Sequence, residues 1–180
     1  MPTQAGLEPV EITLRDGRSV HLRALQSADA DELLQAFGRL SANTRYMRFM
    51  RAVSHLDAGE LRRSVARLLE RGLAVVATVP AADGIDVVGG ASYVVGNDAQ
   101  VCEFAITVVD GWDGVGLGSQ LLRKLIEAAR RRGLRRMEGY VLATNHPMLA
   151  LAKALGFDSR PDAEDYTVRI VQLDLQPSGA

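Results

Sequence analysis

The sequence predicts an α/β fold, a central mixed and twisted β-sheet flanked by helices on both faces. Three observations predict it. Residues 101–109 have strand character and run through a glycine-rich loop into an amphipathic helix. A further strand and helix follow that unit, and alternating segments that read as paired strands precede it. With 180 residues, 47% hydrophobic and 24% charged, the chain suits one domain, residues 1–180, with a sizeable core.

Taken in order, residues 1–8 read as a flexible arm. Residues 10–14 and 19–25 alternate around Asp16-Gly17, a hairpin turn signal. Ser27 opens a helix with an acidic first turn, its buried face made of Leu33, Leu34, Phe37 and Leu40. Ser41 caps a second, short helix. Asp57 with Glu60 forms a capping box for a third, which Gly72 stops. Residues 73–79 and 87–95 are strands separated by a turn over 80–84, and Gly89-Gly90 marks a bulge in the second. The turn Gly96-Asn97-Asp98 leads into the central strand. The helix after the glycine loop sets Leu117, Leu121, Leu122, Leu125, Ala128 and Ala129 on one face and Gln120, Arg123, Lys124, Glu127 and Arg131 on the other. Gly133 ends it. Residues 136–143 form a strand, and Pro147 sits in the first turn of a helix ending near Gly156. Residues 164–175 alternate as a last strand, and 176–180 are a flexible tail.

Composition narrows the function. A net charge of −1 provides no global field for nucleic acid or an anionic membrane surface, so neither is an expected partner. The longest apolar runs, such as residues 73–80, are too short to span a bilayer. The one cysteine, Cys102, allows no internal disulfide, and the first ten residues lack a basic-then-apolar start, so the expected compartment is the cytoplasm. His21, His55 and His146 have no metal-ligand spacing, and no metal is expected.

The chemistry concentrates at residues 110–119, DGWDGVGLGS. A strand, a glycine loop and a helix N-terminus form an anion site, because glycine lets the backbone approach and the first-turn N–H groups point at the ligand. The expected ligand is a phosphate or pyrophosphate. A dinucleotide fingerprint fits poorly, since Ser119 occupies its third glycine position. An ATPase-type phosphate loop also fails, since Leu117 follows Gly116 where lysine is needed.

The segment Asp113-Gly114-Val115-Gly116-Leu117-Gly118 resembles the Q/R-x-x-G-x-G/A loop of the GNAT acetyltransferases in all but its first position. Residues 145–157, NHPMLALAKALGF, resemble that family's Asn-led helix closing on Gly-Phe. The front segments LRDGRSVHLRAL, SADADELLQAF and RLSANTRYMRFM resemble the catalytic domain of bacterial Pat-type protein-lysine acetyltransferases. The resemblance covers residues 9–175 and implies the GNAT fold with acetyl-CoA as cosubstrate. It implies that the backbone of Gly114, Val115, Gly116, Leu117, Gly118 and Ser119 holds the pyrophosphate. Thr107, Val108 and Val109 would pair with the pantetheine arm like an added strand, and Asn145 would contact it. The implied acceptor is an amine: a protein lysine on a substrate such as an acyl-CoA synthetase, or a small amine. A non-catalytic acyl-CoA sensor is the other reading, and a homodimer is left open.

Glu103 shares a strand face with Val101, Ala105, Thr107 and Val109, so it has small neighbours and room for a ligand. The resemblance makes it the general base. Making a neutral amine from a lysine of pKa ~10.4 at pH 7 costs about 4.6 kcal/mol, and a carboxylate can take that proton as the amine attacks. Three departures stand against the family pattern. Asp113 replaces Gln or Arg, Val115 replaces a frequent Arg, and Ala152 replaces the tyrosine that protonates the departing thiolate. Asn145 also reads as a plain helix cap beside Pro147, and Arg45, Arg48 and Arg51 read either as a substrate entrance or as a solvated helix face.

Overall fold

The computed structural model describes residues 7–176; residues 1–6 and 177–180, which hold most of the expected arm and tail, lie outside the described residues. The strands are β1 (Val10–Thr13), β2 (Ser19–Ala24), β3 (Gly72–Ala81), β4 (Gly84–Val95), β5 (Val101–Val108), β6 (Arg136–Leu142), β7 (Asp158–Pro161) and β8 (Val168–Asp174). They make one sheet in the order β1-β2-β3-β4-β5-β6-β8-β7. The β5–β6 pair is parallel and every other neighbouring pair is antiparallel. The helices are α1 (Ala30–Gly38), α2 (Ala42–Phe49), α3 (Ala58–Arg71), α4 (Leu117–Arg131) and α5 (His146–Ala154). Among the described residues no helix is long and apolar enough to cross a membrane.

Helix α4 holds the larger core. Leu117, Leu121, Leu122 and Leu125 are fully buried against Val75, Ala91, Cys102 and Met137. Each such leucine contributes about 1.5–3 kcal/mol of burial. At the C-terminal end Gly133 takes a φ of 81°, and the N–H of Leu134 reaches back to the Ala129 carbonyl at 3.1 Å. A second cluster on the opposite face gathers Phe37, Leu40, Val65, Val76 and Val109 under α1 and α3. Leu7, at the start of the described residues, is buried in the α4 cluster rather than loose.

Several expected boundaries move. The β3–β4 turn tightens to Ala82-Asp83, and Pro80 stays in strand opposite Ile85. The β4 irregularity falls at Val88, which is left over where Ala77 pairs with Gly89 and Thr78 with Val87. The last strand begins at Val168, because residues 162–167 turn back on themselves, with Asp165 accepting from the Thr167 N–H at 2.9 Å. Before it the chain makes β7, an outer strand that the sequence reading does not contain.

The entry into α1 is pinned by one ion pair. Arg23 on β2 donates twice to Asp29, both at 2.8 Å, and the Gln26 N–H donates to the same carboxylate at 2.8 Å. Asp29 is 7% exposed. Burial pushes its carboxyl up, but the bonds from Arg23 and Gln26, with the Arg23 charge, outweigh it and hold it below the usual carboxylate range. Asp29→Ala should therefore destabilise the protein by about 3 kcal/mol at neutral pH, as removing one partner of a buried pair does. A carboxyl whose folded pKa is depressed contributes fully above its unfolded value of ~3.9 and loses that contribution as pH falls through the folded one. Urea midpoints of the two proteins should stay apart down to about pH 4 and converge only below it.

Candidate functional site

Strands β5 and β6 pair for only three residues, Val101 to Glu103 against Arg136 to Glu138. On its other edge β5 stays paired with β4 through Val108. The edge of β5 beyond Glu103 therefore faces no strand among the described residues. The ring of Phe104 lies over Gly139 on β6, where a Cβ would sit 2.5 Å from its Cε1. Phe157, placed by the positive-φ Gly156, packs on the same ring with centroids 5.3 Å apart. The parting of the strands opens a cleft of about 690 Å³ bounded by β5, α2, the glycine loop and the start of α5.

The loop is built for close approach. Gly111, Gly114 and Gly116 have φ of 89°, 71° and 93°, values that an L side chain rarely adopts. Gly116 is the N-cap of α4 and offers no side-chain oxygen, so the first-turn N–H groups of Leu117, Gly118 and Ser119 stay available. Asp113 folds back, accepting from the Gly111 N–H at 3.0 Å. The β1–β2 hairpin braces the loop from across the sequence. The Arg15 N–H donates to the Val115 carbonyl at 3.1 Å, and Arg18 donates to the Gly111 carbonyl at 2.9 Å while stacking on Trp112 at 3.8 Å. The Arg15 side chain itself enters the cleft, its Nε 3.4 Å from where a Gly116 Cβ would lie.

At the other end of the cleft stand Glu103, Arg48 and Tyr140. Glu103 is open to the cleft, yet the surrounding walls desolvate its carboxyl and push its pKa up. The neighbouring Glu138 adds to the rise, and the charge of Arg48 on α2 opposes it. Tyr140 is pushed up as well, by desolvation first and then by Glu138, Glu103 and Asp162, which favours its protonated form. Helix α2 is fastened beside the cleft by Asp110, which accepts from the Ser41 N–H at 2.7 Å and from the Thr44 hydroxyl at 2.8 Å. A second, mainly apolar chamber of about 460 Å³ lies under α1 and α3 and shares Arg48, Ala105 and Thr107 with the cleft.

Most residues expected from the sequence meet in this cleft. Glu103, Thr107, Val108, Gly114, Gly116, Gly118, Ser119 and Asn145 line it. Leu117 is fully buried and Val115 packs against the core, so only their backbones can serve a ligand. Val109 stands apart: it is 6% exposed, lines the apolar chamber, and its N–H donates to Val88 at 2.9 Å across the bulge. Asn145 caps α5, accepting from the Met148 N–H at 3.3 Å, while still bordering the cleft. Ala152 is 1% exposed and does not line the cleft. Of the arginines on or just after α2, Arg48 borders both cavities and Arg51 the chamber, whereas Arg45 lies over Phe37 at 4.3 Å. Arg15 went unread in the sequence. Its only signal is a basic residue at a hairpin turn, and the pairing of that hairpin with a loop 99 residues away is tertiary.

Among the described residues, no group of three or more His, Cys, Asp or Glu is placed to hold a metal ion. Comparison with known proteins converges on one family. Residues 19–158 match the acetyltransferase (GNAT) domain. An acetyltransferase of Pseudomonas aeruginosa is 34% identical over 163 residues, 91% of this chain and 88% of that protein. The acetyltransferase Pat of Mycolicibacterium smegmatis is 29% identical over 182 residues, 96% of this chain and 51% of its own, so the chain spans about half of that relative. The crystal structure of the GNAT domain of S. lividans PAT has a TM-score of 0.82 at 24% identity, covering 92% of this chain and 96% of that one. The Salmonella typhimurium protein yncA, solved with its cofactor acetyl-CoA, has a TM-score of 0.66 at 22% identity, covering 89% and 96%. At these identities the two structures speak for the fold.

Proposed function

The chain belongs to the GNAT acetyltransferase family, and we propose that it moves acetyl from acetyl-CoA to a protein lysine in the cytoplasm, with Glu103 as general base. One observation carries the reading. Glu103 occupies the last paired rung of β5, at the head of the same cleft that the glycine loop closes at its far end. In this reading the N–H groups from Gly116 to Ser119 receive the pyrophosphate, and Arg15 supplies the positive charge that Val115 lacks. The unpaired edge of Ala105 to Val108 takes the pantetheine arm as an added strand. The lysine nitrogen attacks the acetyl carbonyl while Glu103, directly or through a water, takes its proton. The C–N bond forms and the C–S bond breaks. The departing thiolate takes a proton, which in this reading comes from Tyr140 on the cleft wall.

The open mouth favours a side chain presented by a macromolecule. Met50 and Tyr140 on the cleft wall are 38% and 41% exposed, and Glu103 is within reach of solvent. A second reading, a small apolar amine as acceptor, draws on the chamber of about 460 Å³ next to Ala105 and Thr107. Free-thiol release from acetyl-CoA against lysine peptides, acyl-CoA synthetases and small amines separates them. Turnover confined to small amines would discard the protein-lysine reading.

With a competent acceptor, Glu103→Gln should lower kcat by about 10²–10⁴-fold and leave acetyl-CoA affinity nearly unchanged. Because burial and Glu138 push the Glu103 carboxyl up, the acidic limb of kcat/KM should lie above the ordinary glutamate value of ~4.3, with activity rising as pH increases through it. Full turnover in Glu103→Gln would remove the base assignment. Arg15→Gln should weaken acetyl-CoA binding by up to ~5-fold at low salt, an exposed charge contact being worth no more than ~1 kcal/mol, and the difference should shrink as salt rises. Calorimetry at two ionic strengths checks it; equal affinities at low salt would take Arg15 out of the phosphate site.

A further inference from the structure

Glu103 and Glu138 are direct partners on the last rung before β5 and β6 part, so the two carboxylates rise from the same sheet face side by side. Like charges placed opposite each other on neighbouring strands destabilise a sheet, so packing gives no reason for the pair. Glu138 is only weakly neutralised where it stands. The Gln172 amide on β8 donates to its Oε2 at 3.0 Å, fixing the side chain without adding charge. The Arg136 guanidinium is 3.9 Å away, at the outer limit of an ion pair. Glu138 does not line the cleft, so it touches no ligand there and acts only through its charge.

Resting on the acetyl-transfer reading, we propose that Glu138 is a positioning residue: its fixed negative charge makes Glu103 a better proton acceptor and draws cationic alkylammonium acceptors into the splay. The groups that face Glu103 are Glu138 and Tyr140 from β6 and Arg48 from α2. Arg48 opposes Glu138 but acts on Glu103 less strongly, and Arg136 meets Glu138 only at the outer limit of an ion pair, so the field at Glu103 stays on the negative side. A lysine amine with pKa ~10.4 arrives as a cation and gains from that field; it releases one proton to solvent to become the neutral nucleophile, and the second, lost as its nitrogen attacks, goes to Glu103. An acceptor that is neutral in solution gains nothing. Burial alone would also raise the proton affinity of Glu103, but it would not favour a charged acceptor. The second carboxylate does both.

The test is Glu138→Gln, which keeps the shape and a hydrogen-bonding group for Gln172. Glu138→Asp serves as the charge-conserving control. The titration of Glu103 is followed by carboxyl-carbon NMR, with Glu103→Gln assigning the signal, and rates are measured with a lysine peptide and with a neutral arylamine. In Glu138→Gln the Glu103 signal should titrate at lower pH, and the acidic limb of kcat/KM should move the same way. KM for the lysine peptide should rise about 2- to 5-fold, the size of one partly exposed charge interaction, while KM for the arylamine stays put. Glu138→Asp should restore both. A Glu103 signal that titrates at the same pH in wild type and Glu138→Gln overturns the proposal without reference to any acceptor, and so independently of the acetyl-transfer reading. Equal losses for charged and neutral acceptors overturn it too, as the mark of a merely structural role.

Discussion

The architecture turns on a contact between one aromatic ring and one missing side chain. Phe104 occupies the space where any Cβ at position 139 would sit, and Phe157 packs on the same ring. The ring meets Gly139 just past the Glu103–Glu138 rung, the last that pairs β5 with β6. Backbone that would have been used up in a ladder is left facing a cleft, and in an extended strand such groups demand a partner. A substrate that can pair as a strand answers that demand. The same parting leaves the Glu103 carboxylate at the vertex of the cleft, with the start of α5 on its rim. On the acetyl-transfer reading proposed for this chain, the place for the pantetheine arm and the place of the base share one cause.

The second support is remote in sequence. The glycine loop adopts three positive-φ conformations in six residues, a flexible stretch if left alone. The β1–β2 hairpin takes hold of it through one backbone bond and through Arg18, whose guanidinium both donates to a loop carbonyl and stacks on the indole. Each contact is small, the exposed cation–π stack about 0.5–1 kcal/mol. Together they order the loop before a ligand arrives, so less conformational entropy is lost on binding. The hairpin also carries Arg15 to a place where the loop sequence provides no cation.

What was legible in the sequence was local. Caps at Ser41 and Asp57, the helix stripe from Leu117 to Ala129 and the glycine loop all depend on neighbours within one or two turns, and each stands where it was expected. Glu103 was placed on the correct strand face by a two-residue period. The misses have tertiary causes. β7 is exposed at every position and so carries no alternation, and it is a strand only because β8 pairs with it. Val109 continues the β5 pattern in sequence, but the leftover Val88 takes its N–H and turns it toward the helices. The opposition of Glu103 to Glu138 depends on a parallel register across 35 residues, which no local pattern encodes.

Cys102 has a consequence for how the chemistry can be watched. It is the chain's one cysteine, 1% exposed beneath α4, and burial pushes its thiol up to about 12, the nearby Arg132 charge opposing and Glu138 reinforcing the rise. A thiol so rarely ionised and so well covered is a poor nucleophile toward disulfide dyes. The folded protein is therefore optically silent to such reagents. Colour that develops during turnover counts coenzyme molecules alone, and a slow protein-derived signal becomes a clock for unfolding in the same cuvette.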